Sequence, residues 1–311
     1  MRLRQCREGT REEAEKKMSL ISKKILLATD GSEDAKLAAR AAANLCDKAG
    51  AELHVVHAWQ SVPHPVIDTD YFEEEARRLL EEETRLVAEA GSVVREAHLV
   101  MGPPVDAILD MGEEIGADLI VVGSRGRGPL GRLVLGSVSE GVVHYATRPV
   151  LVLRGGEDGW PPERVVIGDD GSEAARQAGE LAVGIGRLFG ARGALVRAYP
   201  EMPETDAEGR ASDPRLVDDA LRRAQRELEE HAERLERTLG KRPRVEIAMG
   251  DAAVALLEKA REWGETKTLI AVGSRGLGLA KRLRLGSVST NVLRAAEGPV
   301  LVYPRAGHAS L

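Results

Sequence analysis

The feature that most limits what this chain can fold into is that it repeats itself. Residues 122–152 (VGSRGRGPLGRLVLGSVSEGVVHYATRPVLV) and 272–302 (VGSRGLGLAKRLRLGSVSTNVLRAAEGPVLV) align at a constant offset of 150, with 19 of 31 positions identical. Upstream, Asp30-Gly31-Ser32 matches Asp170-Gly171-Ser172 at an offset of 140, and Met101-Gly102 matches Met249-Gly250 at 148. Self-similarity over such lengths decides architecture before any motif does. Whatever fold is chosen must be built twice in 311 residues, and about 150 residues per copy suffice to bury a core. The growing offset places eight extra residues between the second and third strands of copy two, and two more near Glu265 and Thr266.

The stretch from Arg154 to Pro162 (RGGEDGWPP) is rich in Gly, Pro and charge, the composition of a linker. The expected organisation is an arm over 1–19, a first domain over 20–154, a linker over 155–161, a second domain over 162–305 and a tail over 306–311. The arm is expected to be disordered, and Met18 offers an alternative start directly before the first strand. In copy one, apolar runs predict strands near 24–29, 52–58, 93–100, 118–123 and 149–153, with helices near 33–49, 71–90, 103–115 and 137–146. Copy two follows, with strands near 164–168, 193–198, 244–248, 268–273 and 299–303 and helices near 173–189, 214–239, 251–264 and 287–296. Continuous apolar runs such as Leu119-Ile120-Val121-Val122 suit strands covered on both faces. Strand–helix alternation implies parallel sheets with right-handed crossovers, so each copy reads as a doubly wound α/β domain.

In such sheets ligands bind beyond the carboxyl ends of the strands, at the switch point of strand order. There copy one carries Gly123-x-x-Gly126, nine residues, then Gly136-Ser137 opening a helix, and copy two repeats the spacing as Gly273-x-x-Gly276 and Gly286-Ser287. Glycines let backbone N–H groups approach phosphate oxygens, and a helix N-terminus adds free donors and the positive end of its dipole. Ser137 and Ser139 add hydroxyl donors near that terminus, and Arg125 and Arg275 are placed to fork onto phosphate oxygens. The bland alternative is that these glycines close turns and Ser137 caps a helix. Two copies with one spacing favour an anion site.

The Gly-x-x-Gly-x9-Gly-Ser run after the fourth strand, with Asp-Gly-Ser after the first, resembles the ATP-binding subclass of the universal stress protein family. The likeness covers about residues 20–154 and 162–305 as a tandem member. It implies five-stranded sheets of order 3-2-1-4-5 and an adenine nucleotide, ATP with Mg²⁺, between strands one and four. It further implies Asp30 and Asp170 at the nucleoside or its metal, and Ala58 and Ala198 beside the adenine. Gly123, Gly126, Gly136, Ser137, Val138 and Ser139 would hold the triphosphate, with Gly273, Gly276, Gly286, Ser287, Val288 and Ser289 their counterparts. Pairing through the last strands, near 150–152 and 300–302, is implied as an intrachain pseudo-dimer, leaving a homodimer open. The function so implied is nucleotide-dependent regulation of a protein partner in stress response. Slow ATP hydrolysis or phosphotransfer and a nucleotide-independent scaffold are the alternatives.

Composition narrows the rest. A net charge of −6 and 3% aromatic residues supply neither a phosphate-tracking groove nor a stacking platform, which argues against nucleic acid as a partner. No apolar run reaches the roughly 18 residues of a spanning helix and the first 17 residues are charged, so no membrane partner is expected and the cytoplasm is the expected location. Cys6 and Cys46 are too few for a disulfide framework. Gly126 to Gly131 fits the dinucleotide fingerprint literally but follows the wrong strand, and no Gly-x4-Gly-Lys-Ser/Thr loop exists, which favours binding over catalysis. His54 and His57 lack further ligands at zinc spacing and read as structural. Asp169, where copy one has Thr29, would repel phosphate and weaken the second site if it faced the ligand, whereas strand alternation turns it away.

Overall fold

The computed structural model describes residues 23–61, 69–126, 135–200, 214–274 and 285–305. The arm expected over 1–19, the tail over 306–311, and with them Cys6 and Met18, lie outside the described residues. The strands are β1 (Lys24–Ala28), β2 (Glu52–Trp59), β3 (Val94–Met101), β4 (Leu119–Gly123) and β5 (Val150–Leu153), then β6 (Arg164–Gly168), β7 (Arg192–Tyr199), β8 (Arg244–Met249), β9 (Thr268–Gly273) and β10 (Val300–Tyr303). The helices are α1 (Glu33–Ala49), α2 (Thr69–Glu89), α3 (Pro104–Glu114) and α4 (Ser137–Tyr145) in the first half, and α5 (Glu173–Leu188), α6 (Pro214–Leu239), α7 (Ala252–Glu262) and α8 (Ser287–Ala295) in the second.

Local chemistry sets these boundaries. Ser32 and Ser172 cap α1 and α5 by accepting the N–H of Ala35 and Ala175, each at 3.2 Å. Gly50 ends α1 in the left-handed conformation at φ 66°, where a side chain would be strained. Buried Ala35, Ala38, Ala39, Ala41 and Ala42 give α1 a smooth face that lies close to the sheet.

All ten strands form one sheet of order β3-β2-β1-β4-β5-β10-β9-β6-β7-β8. Each half has the order 3-2-1-4-5 with parallel neighbours, and the halves meet through antiparallel β5 and β10, with Leu151 opposite Leu301. One core cluster runs under α1, α2, α5 and α6 through Leu37, Leu80, Ile167 and Leu228. A second runs under α3, α4, α7 and α8 through Val56, Ile108, Val142 and Leu256. Arg294 on α8 donates to Glu140 on α4 at 2.8 Å, an ion pair between halves. The 155–161 junction is packed rather than loose: Trp160 is buried with its ring edge-on to Phe189, centroids 5.3 Å apart. Buried Arg154 donates to the Ala296 carbonyl across the junction, and burial pulls its guanidinium down to about 10.

Leu151 and Leu301 are both fully buried at the seam. Leu151→Ala and Leu301→Ala should each cost about 2–5 kcal/mol. The double variant should depart from additivity by at least about 0.5 kcal/mol, because the two side chains face one shared space. Urea unfolding of the four proteins measures both, and additive costs would mean that the halves do not share this core.

Candidate functional site

β1 and β4 are neighbours whose following segments leave on opposite faces, so a cleft opens beyond their carboxyl ends. In the first half it has a volume of about 290 Å³. Its floor is apolar, from Ala28, Val56, Ala58, Ile108, Val122 and Val138, and its rim carries Asp30, Gly126, Gly136 and Ser137. This mix of apolar floor and few polar groups is that of a small-molecule site near the lower end of the usual roughly 300–1,000 Å³.

The rim is held by a network across β1, α1 and β4. Gly136 N–H donates to the Ser124 carbonyl at 2.8 Å, which folds the loop back so that α4 starts at the cleft. Ser32 Oγ donates to the Arg125 carbonyl at 2.9 Å, and Ser124 Oγ donates to Asp34 at 2.6 Å. A Cβ at Gly126 would collide with the Asp30 carboxylate, and Asp30 in turn accepts the Ser32 N–H at 3.0 Å. The α4 N-terminus points its unpaired backbone donors and dipole into the same space, with Ser137 exposed beside it.

Two side chains of the expected site also hold its rim together. Arg125 lines the cleft, and its Nε and Nη2 fork onto the Asp34 carboxylate at 2.9 and 3.2 Å, because that carboxylate begins α1 beside the end of β4. Ser139 is buried, and its hydroxyl donates to the Gly123 carbonyl at 2.7 Å, as Ser289 does to Gly273 at 3.0 Å. Both hydroxyls therefore tie the start of the helix to the strand end. Gly136, Ser137, Val138 and Ser139 line the cleft with Asp30, Ala58, Gly123, Arg125 and Gly126.

The second half repeats the frame. Ala198 sits at the end of β7, Gly273 ends β9, Gly286 precedes α8, and Ser287 and Val288 open that helix. Asp170 is exposed and accepts the Ser172 N–H at 2.9 Å. Arg275 and Gly276 lie outside the described residues. The floor differs: Gly168 replaces Ala28, and a Cβ there would lie 2.9 Å from Leu256, the counterpart of Ile108.

Asp169 points away from the cleft, as strand alternation requires, and the weaker second site expected from phosphate repulsion loses its basis. The carboxylate is buried under α6, accepts Arg197 Nε at 2.9 Å and bonds His231 Nδ1 at 2.6 Å. Burial alone would raise it, but the His231 and Arg197 hydrogen bonds prevail and hold it below the ordinary value of 3.8. In the first half the same positions hold a different pair. Buried Thr29 donates Oγ1 to buried Glu83 at 2.7 Å, and burial pushes the Glu83 carboxyl above its ordinary range. Glu83 and His231 are equivalent at offset 148, within matched buried stripes Ala76/Leu80/Val87 and Ala224/Leu228/Leu235.

The sequence reading also missed a grouping of His54 on β2 with Glu96 and His98 on β3, which lies away from the cleft. Its only local signal is Glu-x-His on a strand destined to pair with the one bearing His54. Cys46 is buried, which pushes its thiol up to about 12 and leaves it inert.

Two doubly wound halves joined through their last strands, each with a glycine loop leading into a helix at the switch point, define a tandem α/β protein with one cleft frame per half. The chain belongs to the universal stress protein family, whose model matches residues 22–154 and 162–304. The universal stress protein Rv2005c of Mycobacterium tuberculosis is 30% identical over 261 residues, covering 80% of this chain and 85% of that one. A universal stress protein of Thermus aquaticus is 44% identical over 136 residues, 42% of this chain and 98% of that one. Among solved structures, a universal stress protein of Archaeoglobus fulgidus superposes with a TM-score of 0.66 at 27% identity, over 92% of this chain and 99% of that one. Among the described residues no helix is long and apolar enough to cross a membrane.

The two buried pairs titrate in opposite senses. Glu83, raised in the folded state, contributes stability that is full below its unfolded value and lost as pH rises through the folded one. Asp169, depressed, contributes above its unfolded value and loses that as pH falls through the folded one. Glu83→Gln should therefore raise Tm at pH 7 by about 2–4 °C, an advantage that fades toward pH 4. Asp169→Asn should cost about 3 kcal/mol at pH 7 by leaving Arg197 buried beside a neutral amide. Calorimetric melts from pH 4 to 8 test both, and a destabilised Glu83→Gln protein at pH 7 would refute the first.

Proposed function

We propose that the protein binds an adenine nucleotide, ATP, in the first-half cleft and in its counterpart, and acts through the nucleotide-loaded state on a protein partner in stress response. The observation that carries this reading is the pairing of an apolar floor with a helix N-terminus and glycine loop on one rim. The floor around Ala58 and Val56 suits a flat base, and the α4 terminus suits phosphates. Phosphate contacts come from the backbone N–H groups at Gly126, Ser137, Val138 and Ser139 and from the Ser137 hydroxyl. Asp30 stands at the nucleoside side, with Mg²⁺ on the phosphates neutralising charge that reaches it. Arg125 acts through its clamp on Asp34, holding the loop open rather than touching phosphate. The second site uses Asp170, Ala198, Gly273, Gly286, Ser287 and Val288 in the same way, with Arg275 and Gly276 in its loop.

ATP at about 100 times Kd should stabilise each occupied site by about 2.7 kcal/mol. That predicts a Tm rise of roughly 5–10 °C for protein stripped of nucleotide. Gly136→Asp should remove the rise due to the first site and Gly286→Asp that due to the second, since a carboxylate there fills the loop and repels phosphate. Calorimetry with ATP and Mg²⁺ on the three proteins decides it, and an unshifted Tm in the stripped parent overturns the proposal. Bound ATP is expected to persist for hours; rapid ADP release lost in Asp30→Asn with Asp170→Asn would move the protein to the hydrolase reading.

A further inference from the structure

The grouping of His54, Glu96 and His98 has no part in the cleft. It lies near the start of β2, four residues and so about 13 Å along the strand from Ala58. The register between β2 and β3 shifts between Leu53 and His54, so that Leu53 faces Val94 while His54 faces Glu96 and Val56 faces His98. A bulge of this kind re-aims side chains. Here it brings Glu96 and His98 onto the face of the sheet that carries His54.

We infer that His54, His98 and Glu96 form a binding site for a divalent transition-metal ion of zinc type, with Glu52 as the outer carboxylate. His54 Nδ1 and His98 Nε2 are 3.3 Å apart and share a hydrogen bond between rings 13° from parallel, so a metal ion bound here takes the place of the shared proton. Two ligands at Zn–N distances of about 2.0–2.1 Å in tetrahedral geometry are separated by about 3.3–3.4 Å. Glu96 Oε2 lies 3.9 Å from the same His98 nitrogen, and one ligand atom from each of the three residues falls within 4.8 Å of the others. His98 and Glu96 reach the surface, Glu96 being more than half exposed, so the fourth position opens to water.

The other ring nitrogen of His54 provides the independent observation. His54 is 6% exposed, and its Nε2 is buried with no hydrogen-bond partner. A buried orphan of this kind is costly in a neutral imidazole whose proton sits there. If Nδ1 gives its lone pair to a metal, the proton must sit on Nε2, and the Glu52 carboxylate stands 3.9 Å from that atom. A metal-bound histidine that donates its second N–H toward a carboxylate is the arrangement that fixes tautomer and basicity in zinc sites. The charges also close: two neutral imidazoles and two carboxylates balance a divalent cation. The Lys24 ammonium donates to the Ile115 carbonyl at 3.1 Å.

The second half supplies an internal control. The counterparts of His54, Glu96, His98 and Glu52 are Ala194, Arg244, Glu246 and Arg192. There Lys259 closes onto Glu246 at 2.8 Å, an ion pair in place of a metal site. One ion per chain is therefore expected, not two.

The test is titration of chelator-stripped full chain, free of nucleotide, with CoCl₂ and ZnCl₂. Expected is one equivalent of Co²⁺ with the visible absorption of a tetrahedral site, displaced by one equivalent of Zn²⁺. His98→Asn should abolish the absorption, Glu96→Gln should weaken binding at least about 10-fold, and Glu52→Gln should weaken it about 10–100-fold. His144→Asn, on α4 and remote from the cluster, should leave it unchanged. Should His98→Asn melt early, Glu96→Gln decides the matter, because its exposed side chain leaves the fold intact. No saturable Co²⁺ binding at tens of micromolar, or binding indifferent to Glu96→Gln and His98→Asn, overturns the inference.

Discussion

The cleft exists because two backbones touch where no side chain fits. A Cβ at Gly123 would lie 2.6 Å from the Asp34 carbonyl carbon and 2.7 Å from the Ala35 nitrogen, and one at Gly273 would lie 2.9 Å from the Ala175 nitrogen. The first turn of α1 is thus pressed onto the end of β4, and the first turn of α5 onto the end of β9. That closeness lets Asp34 reach Ser124 and Arg125, lets Ser32 reach the Arg125 carbonyl, and lets Ser139 close the loop on Gly123. An alanine at either glycine would have to displace helix backbone rather than a pliable side chain. The first glycine of each loop is therefore required by packing, and only then is the loop presented as a cradle. Its presence in both halves is by itself weak evidence of a ligand; the helix start and the apolar floor carry that weight.

Much of the architecture was legible from residues 122–152 and 272–302 alone, because a repeat read against apolar periodicity gives strands, helices and their alternation. No strand end differs from its expected position by more than one residue, and β6 and β9 match at both ends. What was not legible is which polar side chain each loop residue would find. Arg125 looked free because its partner, Asp34, is 91 positions away. Ser139 looked like a ligand donor because a hydroxyl in the first helical turn does point forward, yet the strand-end carbonyl of Gly123 lies nearer. Both omissions have one origin. Spacing along a chain predicts backbone geometry, whereas the destination of a charged or hydroxyl group is set by tertiary neighbours. Asp169 shows the reverse case, in which period-two alternation alone was enough to turn a carboxylate to the correct face.

The two halves share a frame but not the chemistry beneath it. At positions 29 and 83 a hydroxyl meets a carboxyl that burial drives toward its neutral form, a low-charge solution to filling a buried polar site. At 169 and 231 the same space holds an ionised carboxylate, a histidine and an arginine, with Arg197 shared onward to Glu227 at 2.8 Å. Exchanging one member alone would bury an unpaired charge, which is why the substitutions go together. His57, where the second half has Arg197, instead bonds the Thr29 carbonyl at 2.8 Å. On the opposite face the change is steric: Ala28 with Ile108 becomes Gly168 with Leu256, whose δ-methyl reaches to within 2.9 Å of where a Cβ at 168 would sit. Each half thus keeps its cleft walls by compensation rather than by identity.

Compensation of this kind has a consequence for how the halves influence each other. Coupling between two clefts must pass through elements that touch, and the described contacts include the β5–β10 seam, the Glu140–Arg294 pair, Lys48 over the Phe189 ring and the buried Arg154 that donates to Ala296. Arg154 follows β5 directly, close to the Asp34 and Arg125 charges that set the first loop, and its hydrogen bond ends on the residue after α8, the helix whose N-terminus faces the second cleft. A ligand that shifts α8 along its axis would therefore load a buried guanidinium whose Nε has no protein partner, and whose charge burial already disfavours. The seam's antiparallel register admits no slip that would keep Leu151 and Leu301 buried together, so the two halves hold one fixed pairing on the shared sheet.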